Sequence, residues 1–107
     1  MLSKKKRLTK KDFQLLLKEG KTFSTSLFSF SFKNSGGPSF AFVTPKGIFK
    51  NAVKRNKFRR IGYNVLRSIP ILGGSGIFFY KKQALFVGAK EIKEDIVFIL
   101  EKTHFIK

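Results

Sequence analysis

Residues 26–44 read SLFSFSFKNSGGPSFAFVT, and the fold class turns on how this stretch is parsed. From Ser26 to Lys33, large apolar and small polar residues alternate. Phe28, Phe30 and Phe32 fall on one side, Ser29 and Ser31 on the other. A period of two belongs to a strand with one buried face. Residues 34–38, NSGGP, carry turn chemistry, and 39–44, SFAFVT, read as a second strand. The two are expected to pair as a hairpin closed by the glycine loop. Pro45 and Gly47 end the second strand, and a short third strand is expected around Ile48 and Phe49.

Downstream the period changes from two to that of a helix. At about 100° per residue, Phe58, Ile61, Val65 and Ile69 gather on one arc, with Arg55, Asn56, Arg59, Arg60, Tyr63 and Arg67 opposite. The spacing predicts an amphipathic helix over 51–69, capped by Asn51 and ended by Pro70. Gly62 inside it costs about 1 kcal/mol against alanine, which fits close packing or the close approach of a neighbour, and equally an incidental glycine. After a loop at 73–76, the run IFFYKK (77–82) reads as a buried central strand, and 84–88 as a loop in preference to a continuation or replacement of that strand. From Lys90 to Thr103 a second long amphipathic helix carries Ile92, Ile96, Ile99, Leu100 and Thr103 on one face. Upstream, Thr9 and Asp12 have capping-box spacing for a short helix bearing Phe13, Leu16 and Leu17 on one face and stopped by Gly20. Residues 1–8 read as a flexible basic arm. The order is helix, two or three strands, helix, strand, helix, so a single α+β domain over 1–107 is expected, with helices packed on a sheet.

The charge is extreme. The chain has 107 residues and a formal net charge of +17, a self-repulsion that a polyanionic partner would offset. It is also segregated: every charged residue from Lys21 to Lys90 is basic, and the acids sit towards the ends. A merely solvated surface mixes signs. A hydrophobic content of 42% argues against a disordered tail. Without cysteine, disulfides and thiolate metal sites are excluded. No apolar stretch of signal-peptide length follows the basic start, and the longest uncharged run, Ser68 to Tyr80, is too short and glycine-rich to span a bilayer. A cytoplasmic location and a nucleic-acid partner are expected.

The chain lacks the means of catalysis by its own side chains. His104 reads as a surface residue near the end of the last helix. Glu91, Glu94 and Asp95 lie near a helix start, where the macrodipole accounts for them. No phosphate-cradling loop, nucleotide fingerprint or metal-ligand spacing is present. The basic helix is different. Arginine forks grip phosphate oxygens, and Asn56 on the same face suits a base edge or sugar hydroxyl. Phenylalanine reaching a surface beside basic residues suits single-stranded nucleic acid, with Phe13 the best placed.

These residues resemble a known family. NAVKRNKFRR (51–60) is similar to the signature of the bacterial ribonuclease P protein component, Asn-Ala-Val-x-Arg-Asn-Arg-x-Lys-Arg. Asn51, Ala52, Val53, Arg55, Asn56 and Arg60 match, while Lys57 and Arg59 exchange the two basic types. RLTKKDFQLLLKEG resembles the family's opening helix, SFAFVTPK its strand before the basic helix, and IFFYKK with the final helix its last two elements. Departures are Tyr63 where Arg is frequent, Pro45 for a Lys, Gly47 as an insertion, and Leu17 where an aromatic residue is common.

The resemblance implies a two-layer α+β sandwich, α-β-β-β-α-β-α, with a left-handed β-α-β crossover. It implies that Lys46, Lys50, Lys54, Arg55, Asn56, Lys57, Arg59, Arg60 and Arg67 contact the catalytic RNA of ribonuclease P. Phe13, Leu17 and a strand phenylalanine, taken as Phe30, would line a cleft for the 5′ leader of precursor tRNA. The reaction implied is endonucleolytic removal of that leader. Its Mg2+ ions would be bound mainly by the RNA, with no protein partner and no membrane. The competing readings are a generic RNA-binding module of ribosomal type, a membrane-active basic helix and an independent protein nuclease.

Overall fold

A computed structural model describes residues 10–34, 38–71 and 73–106. Helix α1 (Lys10–Glu19) leads into strands β1 (Lys21–Ser24), β2 (Phe28–Lys33) and β3 (Ser39–Val43). Helix α2 (Ala52–Arg67), strand β4 (Ser75–Tyr80), a 3₁₀ turn at Lys82–Phe86 and helix α3 (Ala89–Lys102) follow. The element order is the one implied by the resemblance. Thr9, the expected cap of α1, and the basic arm 1–8 lie outside the described residues.

The sheet corrects the hairpin. Its order is β1-β2-β4-β3, so β4 lies between the two strands read as partners. β2 runs antiparallel to β4 with Phe30 opposite Phe78, and β3 runs parallel to β4 with Phe42 opposite Phe78. β4 is the most buried strand, and the central position lets it pair along both edges while both its faces are covered. The third strand is β1, paired with β2, rather than Ile48–Phe49. Those two residues belong to a turn in which the Pro45 carbonyl accepts from the N–H groups of Ile48 and Phe49. Phe49 is fully buried there, edge-on to Phe58 and Tyr80. Residues 84–88, read as a loop, fall largely within the 3₁₀ turn that buries Ala84.

Alternation assigns the two sheet faces. Phe28, Phe30, Phe32, Phe40, Phe42, Phe78 and Tyr80 point one way, and α2 and α3 close over them with Phe58, Val65, Leu66, Ile92, Ile96, Ile99 and Leu100. Ser29, Ser31, Ala41, Val43, Ile77 and Phe79 share the opposite face, over which α1 lies with Leu16 buried. The rings of the main core stack tightly, Phe30 on Phe78 at 4.2 Å and Phe42 on Phe78 at 4.8 Å. Tyr80 donates its hydroxyl proton to the Phe58 carbonyl at 2.6 Å and fastens α2 to β4. Burial holds that hydroxyl well above the usual tyrosine range.

Of the two readings of Gly62, the structure favours the close neighbour. A Cβ there would lie 2.5 Å from the Phe42 ring. That ring cannot retreat, because Phe78 is stacked behind it. Gly62→Ala should therefore cost about 1–3 kcal/mol of overpacking against about 1 kcal/mol gained in helix propensity, leaving a loss near 1 kcal/mol. Thermal melting should show a fall of roughly 4–8 °C. An unchanged or higher melting temperature would mean that α2 can shift away from the sheet.

The bend between β1 and β2 is tied to α3. The Thr25 hydroxyl donates to the Asp95 carboxylate at 2.5 Å and accepts from the Phe28 N–H at 3.2 Å, while Lys81 donates to the Thr25 carbonyl at 2.7 Å. Burial raises the Asp95 pKa, and the Thr25 hydrogen bond and Lys81 oppose that rise. The folded chain thus holds this proton more tightly than the unfolded one. Its contribution to stability is full below the ordinary aspartate range and is lost as pH rises through the raised pKa. Asp95→Asn keeps an acceptor for Thr25 and should remove this component. Urea midpoints compared between the two proteins across mildly acidic pH should diverge in the variant's favour as pH rises. Parallel curves would show that Asp95 titrates as it does unfolded.

Candidate nucleic-acid interface

Helix α2 begins where the Asn51 side chain accepts from the Val53 N–H at 2.7 Å. Its buried stripe is Phe58, Gly62, Val65 and Leu66. Every charged residue along it is basic, so no intrahelical ion pair is available and like charges repel. The stripe, anchored in the phenylalanine core, holds the helix together against that repulsion.

The predicted contact residues lie on this one element and the turn before it. Lys54, Asn56, Lys57, Arg60 and Arg67 are exposed, as are Lys46 and Lys50 in the turn and at its end; Arg55 and Arg59 are half-buried. Two of them are preset by neighbours. Arg55 donates one N–H to the Phe49 carbonyl at 2.8 Å, which leaves most of its five donors free and pins the preceding loop. Arg59 donates to the Asn56 carboxamide oxygen, which orients that amide with its NH2 group outward.

The sequence reading left Tyr63 out of the contact set, and the structure places it beside three members of that set. Its hydroxyl accepts from the Phe42 N–H at 3.3 Å, a donor on the outer edge of β3, and its ring stands edge-on to Phe42 at 5.1 Å. Where the family often has Arg, this chain seals a sheet edge. Tyr63 also closes a small cleft of about 180 Å³ with Asn56, Arg59 and Arg60. An aromatic wall beside two guanidinium groups and an amide suits a base with its phosphate. The available signal was its place one turn beyond Arg59 and Arg60.

A second feature lies on the other sheet face. Phe13 of α1 and Phe79 of β4 are both half-buried, with ring centroids 6.4 Å apart and planes at 63°. Leu17, one turn on, is 55% exposed. Ser29, Ser31, Ala41 and Val43 are half-buried strand residues of the same face, and Lys33 shares it at the rim. Phe30 does not belong here. It has no exposed surface and lies on the opposite face, stacked on Phe78. The strand phenylalanine beside Phe13 is Phe79. Period-two alternation separates the two faces but does not say which of them α1 covers.

Neither feature contains a nucleophile paired with a base. Among the described residues no three His, Cys, Asp or Glu side chains gather to hold a metal ion. His104 is exposed just past α3. No helix among the described residues is long and apolar enough to cross a membrane. The geometry offers phosphate-binding donors on one side and an apolar, serine-flanked cleft on the other.

A family model described as Ribonuclease P matches residues 2–104. The solved RNase P protein of Staphylococcus aureus superposes with a TM-score of 0.83 at 20% identity, covering 95% of this chain and 98% of that one. The RNase P protein of Thermotoga maritima superposes with a TM-score of 0.78 at 25% identity, covering 90% of this chain and 96% of that one. No match was found among curated protein sequences.

Proposed function

We infer how this protein works from one premise: the chain belongs to the ribonuclease P protein family. It is the protein subunit of the ribonuclease P holoenzyme, which processes tRNA. On our reading α2 lies on the catalytic RNA, with Lys46, Lys50, Lys54, Arg55, Asn56, Lys57, Arg59, Arg60 and Arg67 taking phosphates, sugars and base edges. The single observation that supports this most is the sign of the surface, a well-anchored helix whose charges are all positive. The cleft of Phe13, Leu17 and Phe79 takes the single-stranded 5′ leader of precursor tRNA. Its apolar walls suit unstacked bases, and Ser29 and Ser31 offer hydroxyls to the backbone.

The protein contributes affinity and charge neutralisation to a reaction whose Mg2+ ions are bound mainly by the RNA. The described residues provide no three-ligand metal group of their own. A cytoplasmic location is the reading that an RNA partner supports.

The test is cleavage of precursor tRNA by the cognate ribonuclease P RNA at low magnesium, with and without this protein. Restored cleavage at the mature 5′ end, dependent on both components, is expected. No effect of the protein on the cognate RNA would reduce α2 to a generic RNA-binding helix. Cleavage by the protein alone would point to an independent nuclease.

A further inference from the structure

The first two turns of helix α3 carry acids and bases on different flanks. Glu91, Glu94 and Asp95 line a groove on the flank away from α2, together with Phe98. Lys90 and Lys93 stand on the other flank. With Ala89 they form one wall of a groove of about 430 Å³, whose facing wall is Ile61, Asn64, Val65 and Ser68 at the end of α2. The floor is apolar: Val65 is buried and Ile61 half-buried, while Asn64, Ser68, Lys90 and Lys93 are exposed along the lips.

We propose that this groove is a second seat for the RNA subunit, taking one nucleotide with its base on Ile61, Val65 and Ala89 and its phosphates between Lys90 and Lys93. The proposal rests on the reading of α2 as an RNA-binding helix and extends it to a second element. Three observations carry it. The volume falls in the range of sites for single small ligands, about 300–1,000 Å³, and so suits one extruded nucleotide. The lips carry positive charge and no acid, which is complementary to a polyanion. The groove is also continuous with the α2 face: Lys57, Arg60, Asn64 and Arg67 follow one another at helical i, i+3 and i+4 spacing along the lip that Asn64 shares. A strand tracking that row is delivered to Lys90 and Lys93 at its end. The acidic flank of α3 then marks the border of the footprint, because a phosphate chain crossing it would meet Glu91 and Glu94.

The absence of native cysteine allows a direct test. Single cysteines replace Ala89 in the groove wall, Glu94 on the acidic flank and Lys54 on the α2 face. Each carries a short thiol-linked photo-crosslinker and is assembled with the cognate ribonuclease P RNA. The expected result is crosslinking from Ala89→Cys and Lys54→Cys but not from Glu94→Cys, with the Ala89 product confined to one or two nucleotides. In parallel, Lys90→Gln with Lys93→Gln should lower the slope of log affinity against log salt by about one to two, with an unchanged melting temperature. Crosslinking from Lys54 without Ala89, equal crosslinking from Ala89 and Glu94, or an unchanged slope overturns the groove and leaves the α2 interface standing. Silence from Lys54 removes the α2 reading, and with it the groove proposal that rests on it, even where Ala89 crosslinks. Silence from both removes both.

Discussion

Replacing Arg59 and Arg60 together by alanine will weaken binding of the catalytic RNA about a hundredfold and lower its salt slope by about two. Hydrogen bonds to charged groups contribute about 1.5–3 kcal/mol each, so losing two costs about 3 kcal/mol at the lower end, and each tenfold in affinity is about 1.4 kcal/mol. Each phosphate released from the interface removes about 0.9 from the slope on a duplex and about 0.7 on a single strand. The pair is chosen because neither guanidinium holds the fold. Arg60 is exposed, and Arg59 bonds to Asn56 on its own helix. Alanine favours the helix and relieves repulsion along it, so the variant should melt no lower than the parent. Arg55→Ala differs because it also cuts the tie to Phe49, and so should lower stability and affinity together. Titrations of the RNA over a range of salt concentrations decide the matter. A parallel salt line for the double variant would show that this face does not lie on the RNA.

The basic, outward face of α2 was legible because all its signals are local. Helical period, cap, stop and charge sign can be read within one stretch, and the core that anchors the helix does not alter which face is outward. Strand pairing is not local. β2 and β3 are separated by a short glycine-rich loop, which favours a hairpin on local grounds, yet β4 from far along the chain takes the place between them. Its continuous apolar run marked it as central, but nothing in it named its neighbours. β1 went unread because Lys21–Ser24 is short, edge-placed and mostly polar. The same limit displaced one cleft residue. Phe30 and Phe79 both stand in phenylalanine-rich strands, and only the sheet register and the position of α1 reveal that Phe30 faces the core and Phe79 faces Phe13. Tyr63 shows the converse, since its edge-sealing hydrogen bond to β3 depends on which strand α2 covers.

That corrected geometry leads to the second large effect. Phe13→Ala should weaken precursor tRNA about 10- to 100-fold while leaving mature tRNA nearly unchanged. Stacking of one base on an aromatic ring contributes about 1–3 kcal/mol by alanine substitution, and only the precursor carries a leader to stack. Phe13 is half-buried against Phe79, so its removal also loosens α1 on the sheet; this structural part must be separated from the stacking part. Two controls do so. Phe13→Leu keeps most of the packing and loses the ring, and should resemble Phe13→Ala in the ratio of precursor to mature affinity while melting closer to the parent. Phe30→Leu disturbs the core on the opposite face, and should lower the melting temperature without moving that ratio. Affinity for the catalytic RNA, which we assign to α2 across the sheet, should be unaffected by either Phe13 variant. Equal losses for precursor and mature tRNA in Phe13→Ala would reduce Phe13 to a packing residue. The leader would then have to be held by cations such as Lys33 at the cleft rim, and the precursor preference would become steeply dependent on salt rather than on an aromatic ring.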